Sequence, residues 1–146
     1  MGESKSRRGR YCIKRIEPLA EERGIEICLC DNLRERLLGD VGTLSWEDAS
    51  RKCWDNLQFE FPGGESNQAA QARGVAVIKR LICMYSGKSL VVASHGTLLA
   101  LILNAYDRKH GYEFWRRLSM PDVYLLSFDR LGVLVRVERL WGAKGS

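Results

Sequence analysis

The stretch Lys88-Ser-Leu-Val-Val-Ala-Ser94-His95-Gly96-Thr97, followed by the apolar run Leu98 to Leu103, constrains the fold more than any other part of the chain. It reads as a buried strand, a sharp turn and a buried helix. An α/β sheet places its chemistry beyond the carboxyl ends of its strands, and His95 stands at such an end. Gly96 lets the backbone turn closely there. A lone histidine at a strand end is explained as well by ordinary hydrogen bonding. Its meaning depends on the segments around it.

With 146 residues, the chain has room for one domain with a sizeable core. A hydrophobic fraction of 45% and a charged fraction of 28% are those of a soluble globular protein. No apolar run reaches membrane-spanning length. The N-terminus is basic but lacks the apolar core of a signal peptide, so cytoplasmic is the default location. Cys12, Cys28, Cys30, Cys53 and Cys83 form no C-x-x-C pair, and they read as reduced and mostly buried. Neither a metal nor a cofactor is expected, because clusters with ligand spacing are absent from the sequence.

The net charge of +5 is concentrated at the start of the chain, where Lys5, Arg7, Arg8, Arg10, Lys14 and Arg15 face Glu3 alone. Residues 1–10 read as a disordered, solvated leader and residues 11–146 as a single domain. A basic tail can bind phosphate backbones by counterion release, but the solvated leader is the preferred reading over a nucleic-acid partner.

Along the chain, residues 11–23 read as a helix ended by Gly24, and Ile25 to Leu29 as a short strand. Ser45-Trp-Glu-Asp48 is a capping box opening a helix to about Leu57. Ser66 caps a long helix from Asn67 to about Tyr85, with Ala69, Ala72, Ala76, Leu81 and Met84 on its buried side. Tyr112 to Leu118 reads as a short helix. Val123 to Phe128 and Val133 to Leu140 flank Asp129-Arg-Leu-Gly132 as a hairpin whose last strand has one wet face.

Three segments occur in order: Leu33-Arg34-Glu35, then Gly63-Gly64-Glu65-Ser66, then the apolar run ending in Ser94-His95-Gly96. With Glu17-Pro18-Leu19-Ala20-Glu21 and the stretch from Trp115 to Met120-Pro121-Asp122-Val123-Tyr124, this pattern resembles the histidine phosphatase (phosphoglycerate mutase-like) superfamily from about Ile16 to Phe128. The resemblance implies an α/β fold, a three-layer sandwich with a mixed, mostly parallel sheet flanked by helices. It implies action on phosphomonoesters through a phosphohistidine intermediate, with a small phosphorylated substrate or inorganic phosphate as the ligand. Such chemistry needs fixed positive donors around the phosphoryl oxygens and an acid for the leaving group. His95 matches the family's second histidine, which holds the phosphoryl oxygens. Glu35 matches the acid/base carboxylate; outside the motif it would read as a loop ion pair with Arg34 or Arg36. Ser94, Gly96 and Thr97 shape the phosphate-binding turn. Glu65 either orients basic groups in the pocket or stabilises a helix start.

The family's nucleophilic Arg-His-Gly occurs nowhere in these residues. Arg10 is the nearest substitute for the family's next phosphate-binding arginine. The expectation is an N-terminally truncated member lacking the first central strand and impaired in catalysis, with self-association through exposed strand edges. The alternative is a catalytically inactive phosphate-binding or regulatory module. Lys109-His110-Gly111 echoes the missing motif but follows a helix, and His110 reads as a solvent-exposed loop residue. Trp46, Trp54, Phe59 and Phe61 are open to two readings, as pocket lining or as core.

Overall fold

Residues 16–142 are described by the structure, a computed structural model. The expectations for the basic leader, for Arg10 and for residues 11–15 of the first helix lie outside the described residues. Helical residues 16–23 (α1) end at Gly24, whose φ of 61° closes the turn. A 3-10 turn at Asp31–Leu33 follows, then α2 (Trp46–Asp55), α3 (Asn67–Met84), α4 (Gly96–Tyr106) and α5 (Tyr112–Arg116). The chain then forms an antiparallel hairpin of β1 (Tyr124–Phe128) and β2 (Leu134–Arg139), with Tyr124 opposite Arg139.

Helix starts follow the expected side-chain chemistry. The Ser45 hydroxyl accepts from the Asp48 amide at 3.0 Å and donates to its carboxylate at 2.8 Å. Ser66 accepts from the Ala69 amide at 3.1 Å, closing the start of α3. Each such cap removes one orphan donor of a helix end.

The main core lies between α3 and α4, where Ala70, Ile78, Leu98, Leu101 and Ile102 are buried together. The face of α3 differs from the expected one. Ala69, Ala72, Ala76 and Met84 are exposed, while Ala70, Gly74, Val77 and Ile78 are buried. Gly74 explains the phase: a Cβ there would stand 2.9 Å from Ile102 Cγ1 and 3.0 Å from Leu98 Cδ1. The helices approach through the residue with no side chain, and Ala72 and Ala76, two residues to either side of it and so on the opposite face, look to water. A second cluster joins Ala49, Cys53 and Phe61, with Phe59 packed on it.

Among the described residues the only sheet is the two-stranded hairpin, so the mostly parallel sheet is not formed there. Residues 25–30 and 88–95 run without regular secondary structure rather than as the expected strands. Strand formation needs a hydrogen-bonding neighbour, and no described segment supplies one to either run. Leu90, Val91 and Val92 accordingly stay exposed. On the hairpin, Val133 and Val135 are also exposed, so β2 does not bury a valine face as its alternation implied. Of the described cysteines, all free, only Cys53 is buried; Cys28 and Cys83 are exposed.

Two glycine-containing segments are pressed together backbone to backbone. The Asp40 amide donates to the Pro62 carbonyl at 2.9 Å, and the Glu65 amide to the Leu37 carbonyl at 2.8 Å. A Cβ on Gly39 would stand 2.7 Å from Gly64 N, and one on Gly64 would collide with the Leu38 carbonyl. Gly64→Ala is expected to cost about 3 kcal/mol of stability, because backbone rather than a flexible side chain blocks the methyl. Gly63→Ala, at φ 71° with open space around it, should cost only about 1 kcal/mol. Equal losses in denaturant unfolding would show that the Gly39–Gly64 contact does not hold these loops together.

Candidate functional site

α4 begins with a residue type poorly suited to the task. His95 occupies the N-cap position and makes no side-chain cap bond, so the first amides of this buried helix need an acceptor from elsewhere. Glu35 supplies it across 62 residues of chain. Its Oε2 accepts from the Thr97 amide at 3.1 Å and its Oε1 from the Leu98 amide at 3.0 Å. Oε1 also accepts from the Arg36 amide at 2.9 Å. Negative charge at a helix N-terminus is favourable, which fixes where this carboxylate sits. Glu35 and His95 therefore meet at the same turn.

The ion-pair alternative for Glu35 does not occur. Arg34 pairs with Asp31 at 3.0 Å. Arg36 is 4% exposed and lies beside the Cys53 thiol, which burial pushes above its ordinary value despite the nearby guanidinium. Ser94 donates from its hydroxyl to the Leu33 carbonyl at 3.0 Å, tying the turn to the loop that carries Glu35. Thr97 is buried, and its Oγ1 accepts from the Trp115 indole at 3.1 Å. Gly96 is not in the left-handed region, and a Cβ on it would make ordinary contact with Leu118 at 3.7 Å, so the close-turn role expected of it is not required.

Glu65 pairs with a basic side chain of α3. Its carboxylate takes a bidentate pair from Arg73, with Nε to Oε2 and Nη2 to Oε1 both at 2.8 Å. Arg73 turns its remaining donors on the loop: Nη1 to the carbonyls of Asn32 at 2.7 Å and Arg34 at 2.8 Å, and Nη2 to that of Glu35 at 3.3 Å. The sequence reading missed Arg73. The signal was present, since position 73 lies three residues after Ala70 and four before Val77, on the face of α3 that packs inward. A charge there calls for a buried partner.

His110 is not the solvent-exposed residue expected. It is 5% exposed, its Nδ1 lies 3.1 Å from the Asp107 carbonyl, and its ring meets Phe114 edge-on at 4.8 Å. The polar connection folds back on α5 and encloses the imidazole. Of the four open aromatics, Phe61 is buried, Phe59 and Trp54 pack against the core clusters, and Trp46 remains exposed. Among the described residues no three His, Cys, Asp or Glu side chains gather as a metal site, and no helix is long and apolar enough to cross a membrane.

The hydrogen bonds from Arg73 hold the Glu65 carboxyl below its ordinary value of 4.5. A carboxylate depressed on folding contributes stability above its unfolded value and loses it as pH falls through the folded one. Stability should therefore decline below about pH 4.5, and Glu65→Gln should flatten part of that acid limb while lowering stability at neutral pH. An unchanged acid limb in Glu65→Gln, measured by urea unfolding across pH, would mean that the pair carries no proton-linked stability.

The family model described as "Histidine phosphatase superfamily (branch 1)" matches residues 5–138. No curated protein matches the chain in sequence. A solved structure described as "Mycobacterial hydrolase 1" is similar in fold at a TM-score of 0.59 and 19% identity, covering 88% of this chain and 70% of that one. Motif order, the meeting of Glu35 with the turn at His95, and a family match over nearly the whole length agree: the chain belongs to the histidine phosphatase superfamily.

Proposed function

We propose that this chain binds a small phosphomonoester, or inorganic phosphate, at the first turn of α4, with His95 holding phosphoryl oxygens and Glu35 serving as the acid/base. The observation that carries the reading is the Glu35 carboxylate on the Thr97 and Leu98 amides, two and three residues past His95. An imidazole for the phosphoryl oxygens and a carboxyl group for the departing alkoxide supply two of the three parts such a transfer needs, the third being the nucleophile. Ser94, Gly96 and Thr97 form the turn that places them, and Glu65 acts through Arg73. Arg10 joins the phosphate site in this reading. The four described cysteines, all free, suit a reducing, cytoplasmic setting.

The complete chemistry of the family passes through a phosphohistidine. These 146 residues contain no Arg-His-Gly, and His110 is enclosed against Phe114. As it stands, the chain is read as impaired in turnover, which also favours the second reading, a phosphate-binding or regulatory module. Calorimetric titration with inorganic phosphate should show binding that His95→Ala weakens at least about tenfold, without stable label on histidine after incubation with a labelled phosphomonoester. Phosphate binding indifferent to His95→Ala would overturn the site, and rapid sustained turnover would overturn the impairment.

Self-association completes the proposal. Ile25, Leu29 and Val91, the last 67% exposed, leave apolar side chains in water along segments that lack regular pairing among the described residues. Such edges recruit other chains. Sedimentation should show concentration-dependent association that Val91→Lys weakens; a monomer at all concentrations would rule this out.

A further inference from the structure

Trp46 opens α2 and is 63% exposed, although other aromatics of its region are taken into the core. Its ring is not loose. It lies tilted on Trp115 with centroids 4.9 Å apart, and Trp115 is the residue whose indole N–H is bonded to Thr97. Tyr112 backs Trp115 at 5.7 Å, and Arg51 stands over the Tyr112 ring at 5.1 Å. Glu47 fastens this group by accepting from the Tyr112 hydroxyl at 3.2 Å and pairing with Arg116 at 3.5 Å. The result is a largely exposed indole resting on Trp115, which links it to the turn that carries His95.

We propose that Trp46 is the stacking platform for an aromatic ring carried by the phosphomonoester, so that the site selects aryl or nucleoside monophosphates over aliphatic ones. This rests on the phosphate reading above and adds the substrate class to it. An exposed aliphatic patch would favour any apolar group, whereas a supported indole face favours flat π-systems, and every nucleobase or phenyl ring has one. The contact with Trp115 restricts the ring before the ligand arrives, which lowers the side-chain freedom lost on binding. Arg51, over the neighbouring Tyr112 ring, adds positive charge to the same aromatic group, which suits an anionic ester.

The test compares binding of AMP with ribose 5-phosphate, and of phenyl phosphate with glycerol phosphate, with inorganic phosphate as reference. The aromatic member of at least one pair should bind about tenfold tighter and quench tryptophan fluorescence. Preference for AMP alone assigns a nucleoside, and for phenyl phosphate alone a short aryl ester; either supports the proposal. Trp46→Ala should abolish the preference while inorganic phosphate binds as before, and Trp46→Phe should retain it in part. Equal binding within both pairs, or a preference that survives Trp46→Ala, overturns the platform and leaves the phosphate site standing. Loss of all binding, including inorganic phosphate, in the unaltered chain overturns the phosphate reading instead.

Discussion

One guanidinium holds the site in place. The five N–H groups of Arg73 all have partners, two bonds going to Glu65 and three to main-chain carbonyls of residues 32, 34 and 35. Those carbonyls belong to a loop with no regular secondary structure beyond one 3-10 turn, so a side chain rather than a backbone ladder ties them down. The planar fork of arginine suits this work, since it takes a carboxylate on one edge and carbonyls on the others, which an ammonium cannot do. Glu65 supplies the compensating charge, without which a half-buried cation would be expensive to place.

That clamp links elements that are distant in sequence. Glu65 enters through the Gly63-Gly64 turn, and this turn fits only because Gly39 and Gly64 bring two backbones into direct contact. Glu35 lies between the clamp and the Gly39 contact, so its main chain is fixed on both sides. Its carboxylate is then delivered to α4, whose depth in the core is set by the meeting of Gly74 with Ile102 and Leu98. The position of one acidic group is thus determined by helix packing, by a glycine contact and by an ion pair together.

How far the sequence disclosed this follows from which interactions are local. Ser45 and Ser66 cap their helices as their spacing requires, because a cap is satisfied within four residues. The hairpin around Asp129 is local in the same sense. Residues 25–29 and 88–93 have the composition of strands, but pairing depends on a neighbour that composition does not encode. The alanines of α3 suggest a core face, but the contact with α4 is made at Gly74, a position whose lack of a side chain carries no hydrophobic signal. Glu35 and His95 were legible only through motif resemblance, and their meeting at α4 could not be derived from spacing. Arg73 was the legible residue overlooked, a charge on the inward face of a helix.

The cap on α4 also imposes a chemical tension. The Thr97 and Leu98 amides already engage both carboxylate oxygens of Glu35, the side chain that the proposed reading also assigns to the leaving group. A phosphate arriving beside His95 would bring further negative charge to a helix turn that already holds Glu35. The ligand and the carboxylate then compete for the same helix field, and the turn cannot fully satisfy both as anions. In the proposed reading, the carboxylate that caps α4 is therefore the group whose hydrogen bonds a bound phosphate would disturb first. The cap and the proposed chemistry fall to one side chain because His95 makes no side-chain cap bond at the start of α4.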